Sequence, residues 1–214
     1  MQCRRFFCST QGCSIAVQAV LALFAAMATK PGDGTGTVID SGDGVTHVIP
    51  IAHSYVIGSN IRTMDIAGKD ITKFVQHLMS TRESTIPAEL RYKTAKTVKE
   101  RYCYACPDMV KEFGKYDKDP EKWIVKHEGD HPRNKGEKWT CDVGYERFLA
   151  AEVFFNPEIA QISDKQTLYK VPLSRMVYDS ISLCPIGETL PFLDLPVPSH
   201  CLSLTLHCLS TAFP

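Results

Sequence analysis

No charge of either sign prevails in this sequence: 24 Lys and Arg residues stand against 24 Asp and Glu over 214 residues. That balance argues against a protein whose main task is neutralising nucleic-acid phosphates, which needs a basic excess. No apolar run reaches the roughly 20 residues that span a bilayer. No disulfide framework is visible either. The nine cysteines are odd in number and scattered, which fits free thiols in a reducing compartment better than disulfides. No internal repeat is apparent, and no nucleophile elbow accompanies the Ser, His and Asp residues present. What remains is an ordinary globular balance, 44% apolar and 22% charged. Its length suits one large domain or two small ones.

Residues 1–13 show no period. Arg4 and Arg5 precede an apolar stretch, Ile15–Ala28, that closes on Ala26-Met27-Ala28. This is the layout of a secretory signal. It also reads as a buried amphipathic helix interrupted by Gln18. Residues 14–28 are rich in Ala, Leu and Val and are expected to be helical until Lys30-Pro31-Gly32. Thr37-Val38-Ile39 and Val45–Ile51 are β-branched runs around a glycine turn, a β-hairpin signal. Ser54–Ile61 continues with strand character. From Ile66 the period changes. Ile71, Phe74, Val75, Leu78 and Met79 recur at helical spacing. Ala88–Cys106 reads as a second helix ended by Pro107. Residues 111–138 alternate Lys with Asp and Glu and read as a solvated, mobile insertion, with Trp123 and Trp139 as its packing anchors. Order resumes at Cys141–Phe155, and Val171–Leu183 is expected to be helical. The tail, 187–214, is nearly uncharged, broken by Pro191, Pro196 and Pro198, and an aggregation liability if exposed.

Two glycine clusters could cradle a phosphate, because glycine lets backbone N–H groups approach an anion. Gly32–Gly36 follows a helix and precedes a strand, the reverse of the usual phosphate-loop order, so it reads as a connector. Asp40–Gly44 lies at a strand-to-strand turn where several amides can converge. Asp40 emerges at a strand end, suited to a hydrated Mg²⁺. Asp43 is placed to accept from a ribose hydroxyl or to cap the turn.

VIDSGDGVTHVIP resembles the second phosphate-binding hairpin of actin and the actin-related proteins, and SIAVQAVLAL resembles the helix that precedes it. YVIGSNIRTMDIAGKDITKFVQHLM, TAKTVKERYCYACPDMVKEF, KWTCDVGYERFLAAEVFFNPE and PLSRMVYDSISLCPI resemble later segments of the family in order. The resemblance covers about residues 14–186. It implies an α/β, partial actin-like fold of the actin, sugar-kinase and Hsp70-type ATPase class: its second half, with an inserted helical subdomain. The divisions it implies are a head at 1–13, the connecting helix with hairpin and strands at 14–66, the helical insertion at 67–150, a return segment at 151–186, and the tail at 187–214.

The resemblance also implies roles. Asp40 approaches Mg²⁺ through water. Gly42, Asp43, Gly44 and Val45 face the phosphates and ribose of ATP. Gln18 and His47 orient the attacking water. Lys99 and Glu100 contact adenine and ribose. It implies actin and subunits of the actin-related protein 2/3 complex as partners, in the cytoplasm and cytoskeleton. The family's first phosphate hairpin and its adenine-seating glycine motif have no counterpart here. Donors from one side only leave a bound phosphate open to water. ATP is therefore expected to bind weakly and hydrolysis to be absent or very slow. An interaction protein is the reading favoured over an ATP-hydrolysing nucleator, a secreted protein or an unstable product. Cys103, Cys106, His127 and His131 have C-x₂-C and H-x₃-H spacing, which admits a zinc site, although the intervening segment is longer than in the usual finger.

Overall fold

The computed structural model describes residues 16–28, 32–82, 86–130, 138–160 and 171–184. The head with Arg4 and Arg5, the tail at 187–214, and His131 lie outside the described residues. Helix α1 runs Gln18–Met27, shorter than the apolar stretch that contains it. It is not a buried helix. Ala19 is its one buried residue, and Val17, Leu21 and Phe24 are 57%, 55% and 48% exposed. It meets the sheet along one side only: Leu23 Cδ1 lies 2.8 Å from where a Cβ on Gly36 would stand.

Strands β1 (Gly36–Ser41) and β2 (Thr46–Ala52) form the expected antiparallel hairpin, with Asp40 opposite His47. Along β2, Thr46, Val48 and Pro50 are buried and alternate with half-buried His47 and Ile49, the period of a strand with one covered face. Ser54–Ile61 is not a single strand. The chain reverses at His53 and Ser54, both at positive φ (46° and 69°), as a two-residue turn of the primed type requires. Short β3 (Tyr55–Val56) follows, then a 3-10 turn at Gly58–Asn60 and β4 (Arg62–Met64), which also pairs with β2.

Helix α2 (Gly68–Arg82) buries Ile71, Phe74, Val75 and Met79, the face its spacing predicts. Helix α3 (Arg91–Tyr102) buries Thr94, Ala95 and Val98. It stops before Cys103, so Cys103–Cys106 is not helical as expected. Pro107 disfavours helical geometry in the residue before it, and Tyr104 N bonds instead to Arg147 O at 2.8 Å.

The expected mobile insertion is largely ordered. It holds α4 (Met109–Lys118), α5 (Pro120–Trp123) and β5 (Val125–Asp130), which pairs with β6 (Lys138–Val143). Its order rests on devices that a count of aliphatic residues overlooks. Asp108 caps α4 by accepting from Lys111 N at 3.1 Å. Phe113 meets Phe148 edge to face at 4.8 Å. Trp139 is a packing anchor as expected, buried in the core, with its ring lying on Gly129 across the ladder. Trp123 is half-buried beneath Lys115 Nζ at 5.7 Å.

Helices α6 (Glu146–Glu152) and α7 (Leu173–Ser182) complete the described chain. A continuous apolar cluster joins Val48 and Met64 of the sheet to Phe74, Val98, Val143 and Met176. Two buried polar links fix distant parts. Arg82 Nη2 meets the fully buried Glu146 carboxylate at 2.7 Å, and Ser180 Oγ donates to Asn60 O at 2.8 Å.

Candidate functional site

The β1–β2 turn is anchored from below and open above. Gly42 N closes it by donating to Val45 O at 3.0 Å. Beneath it, Ser41 Oγ and Thr46 Oγ1 are hydrogen-bonded at 2.8 Å, and buried Thr46 donates to Ile66 O at 2.7 Å. The turn's carbonyls face α2: Gly68 N donates to Gly42 O at 3.0 Å and Lys69 N to Asp43 O at 2.8 Å. The first amides of a helix have no partner within it, so turn and helix complete each other. Gly68 is needed at this joint. A Cβ there would stand 3.2 Å from Gly42 O and 3.4 Å from Lys99 Nζ.

Lys99 enters from α3, and its Nζ donates to Gly68 O at 3.1 Å. Burial lowers its pKa, while the Glu100 and Asp43 carboxylates pull it back up. The Lys99 ammonium therefore lies behind the turn, within electrostatic reach of Asp43. Glu100 is exposed and pairs with Lys96 at 4.0 Å.

The amides of Asp43, Gly44 and Val45 donate to nothing among the described residues. The fold does not require glycine at Gly42 or Gly44, since neither has positive φ. A Cβ on Gly44 would meet nothing within 4 Å, and one on Gly42 only Val45 O at 3.7 Å. Glycine here costs backbone entropy without a structural return. What it leaves is an unobstructed approach to three adjacent amides, the geometry of an anion nest.

Asp40 and His47 sit opposite one another on the two strands. His47 Nδ1 is 3.1 Å from Thr63 Oγ1 on β4. Gln18 is exposed at the start of α1, and the hydrogen bond that His47 makes is to Thr63. The structure thus gathers Asp40, Gly42, Asp43, Gly44, Val45, His47 and Lys99 around one turn, with Glu100 beside Lys99. The other glycine cluster is a clasp. Gly34 has φ 81°, and its carbonyl accepts from Ser54 N at 2.8 Å.

Three contributors were not legible as site residues. Gly68 reads as one more glycine before a helix, Thr46 as an ordinary strand residue, and Thr63 lies in a run with no motif.

No cluster of three or more metal-ligating side chains occurs among the described residues. Cys103 Sγ instead points at Glu146 O, 3.5 Å away. Burial, reinforced by the Glu146 carboxylate, pushes its thiol up to about 12. His127 Nδ1 is hydrogen-bonded with Tyr102 OH at 3.2 Å.

An antiparallel hairpin whose tip presents free amides, braced by a helix start and a lysine, is thus the candidate anion site of an α/β protein. A sequence profile of the actin family matches residues 8–125. The chain is 55% identical over 177 residues to actin-related protein 3 of Dictyostelium discoideum, covering 82% of this chain and 41% of that protein. It is 52% identical over 183 residues to human actin-related protein 3C, covering 84% of each. The chain belongs to the actin family. It spans about two fifths of the length of the Dictyostelium relative, and its mixed helix-and-sheet architecture is part of the actin fold. Among the described residues no helix is long and apolar enough to cross a membrane.

Proposed function

We propose that this chain is an interaction protein of the actin cytoskeleton. It acts as a partial or competing counterpart of actin-related protein 3, engaging actin or subunits of the actin-related protein 2/3 complex. It binds Mg-ATP weakly and does not turn it over. The observation that carries the nucleotide reading is the trio of unpartnered amides at Asp43, Gly44 and Val45. In this reading Gly42, Asp43, Gly44 and Val45 would hold the phosphates and Asp40 the Mg²⁺ through water. Lys99 and Glu100 would hold adenine and ribose, and Gln18 and His47 would be vestigial. Bound Mg²⁺ would neutralise phosphate charge. The described residues supply donors from one side, and a one-sided nest in water gives weak stabilisation.

Calorimetry with Mg-ATP tests the first part. Saturation only above micromolar concentrations is expected, and a micromolar or tighter Kd overturns the weakness. No heat, together with no perturbation of the Asp43–Val45 amide signals, overturns binding itself. Affinity purification of the chain from cells tests the second part. Recovery of actin or complex subunits is expected. Recovery of chaperones alone points to an unstable product instead.

A further inference from the structure

The charge balance of the whole chain conceals a one-sided distribution. Helices α2 and α3 pack side by side and run antiparallel: Lys99, near the end of α3, donates to Gly68 O at the start of α2. On α2, burial of Ile71, Phe74, Val75 and Met79 leaves Lys69, Lys73 and His77 as an exposed stripe at four-residue spacing. On α3, burial of Thr94, Ala95 and Val98 leaves Tyr92, Lys93, Lys96 and Glu100 exposed. Among the exposed side chains of the two helices, Lys69, Lys73, Lys93, Lys96 and Arg101 are cationic and Glu100 alone is anionic. The exposed charges of α4 and α5 are mixed instead, with Lys111, Lys115, Lys118 and Lys122 against Asp117, Asp119 and Glu121. A positive excess gathered on one helix pair, in a chain with no net charge, makes a local field that attracts anions.

The make-up of this face selects the kind of anion. Protein interfaces concentrate aromatic residues, Met and Arg and are poor in Lys. Here Lys supplies all but one of the exposed cations, and Tyr92 is the one large apolar side chain exposed on either helix. Arg presents a rigid fork that matches a fixed carboxylate or phosphate, whereas Lys carries a compact, hydrated charge on a flexible stem. Flexible ammonium groups spread along a helix about 22 Å long suit a fluid layer of anionic headgroups, which demands no fixed geometry. Tyr92 beside them is of the residue type that settles at a membrane–water interface. Docking of this kind is peripheral and needs no spanning helix.

We propose that the outer face of α2 and α3 docks on anionic lipid bilayers through Lys69, Lys73, Lys93 and Lys96. Co-sedimentation of the full chain with vesicles tests it. The chain should bind phosphatidylcholine vesicles that contain phosphatidylserine and not those of phosphatidylcholine alone, and added salt should release it. Each lysine near such a surface is worth about fivefold in affinity, so K73Q, K93Q and K96Q together should weaken binding about 100-fold. Arginine at the same three positions keeps the charge and should keep the binding. K111Q, K118Q and K122Q together remove as much charge from α4 and α5 and should leave most of the binding intact. Urea midpoints should be alike for all three variants, since every replaced side chain is exposed. No binding to phosphatidylserine vesicles overturns the proposal, as does binding that survives K73Q/K93Q/K96Q. Equal losses in the two glutamine variants would make net charge responsible and not this face, and would overturn it too. Retention on duplex DNA or on an acidic polypeptide, with none on vesicles, would assign the face to another partner and has the same effect.

Discussion

Alanine at Gly68 and alanine at Gly44 should move stability in opposite directions, although both glycines belong to the same turn assembly. At Gly68 a Cβ would lie 3.2 Å from a backbone oxygen, Gly42 O, which cannot swing aside as a flexible side chain can. Relief requires separating the turn from α2, which weakens Gly68 N–Gly42 O and Lys69 N–Asp43 O, bonds of 3.0 and 2.8 Å. Each is worth about 1 kcal/mol net. The gain from replacing a helical glycine, up to about 1 kcal/mol, offsets part of that. The balance is a loss of about 1–2 kcal/mol, or roughly 2–8 °C in Tm for a chain of this size. Gly44→Ala has no such cost, since nothing lies within 4 Å of its Cβ. It should stabilise by about 0.4–1 kcal/mol by restricting the unfolded chain. The same methyl group would stand before the free amides, so Mg-ATP affinity should fall even as the fold tightens. Urea unfolding and calorimetry on the two variants decide the matter. A Gly68→Ala protein as stable as the parent would refute the joint, and a Gly44→Ala protein that keeps its nucleotide affinity would refute the nest.

Arg82→Ala strands the buried carboxylate of Glu146, 2.7 Å from its partner. Removing one member of such a pair costs roughly 3–5 kcal/mol, and the 27% exposure of Arg82 favours the low end. Urea midpoints should show the loss, with Glu146→Gln in the same chain recovering part of it. His127 has its pKa lowered by burial and by nearby Arg101. The unfolded chain therefore takes up that proton first as pH falls, so the contribution of neutral His127 is full above about pH 6.5 and declines below it. The parent should lose more stability than His127→Gln between about pH 7 and pH 5. Equal slopes would count against the buried, neutral ring. Cys103, with its thiol near 12, should resist iodoacetamide in the native protein at pH 8 and react once unfolded. Peptide mass mapping reads the difference, and rapid native labelling would contradict its burial.

The hairpin and α2 were legible because each announces itself over a few residues. Val38-Ile39 and Val48–Ile51 flank a D-G turn, and Ile71, Phe74, Val75 and Met79 keep helical spacing. The insertion was illegible for the opposite reason. Its order depends on Phe113 meeting Phe148, a partner that no local window contains, and on Gly129 lying under Trp139 through cross-strand pairing, which periodicity does not reveal. Charge alternation in 111–138 hid short amphipathic elements whose apolar share is aromatic. The turn itself was visible as a candidate phosphate loop. Its support was not, because Gly68 and Lys99 lie far along the chain and meet Gly42 and Asp43 only through the packing of α2 on α3. Lys99 was named through family likeness, which could not foresee that its ammonium is held by a backbone carbonyl.

The joint between the turn and α2 has a consequence for recognition. Both tip carbonyls are occupied by the helix, and Lys99 holds the helix's first residue from behind. The loop's shape is therefore fixed by the fold itself, and in the proposed reading an anion would be captured with no refolding of the receiving backbone. Preorganisation of this kind lowers the entropic cost of association. Whatever affinity a single wall can offer reaches the ligand undiminished by adjustment of the protein.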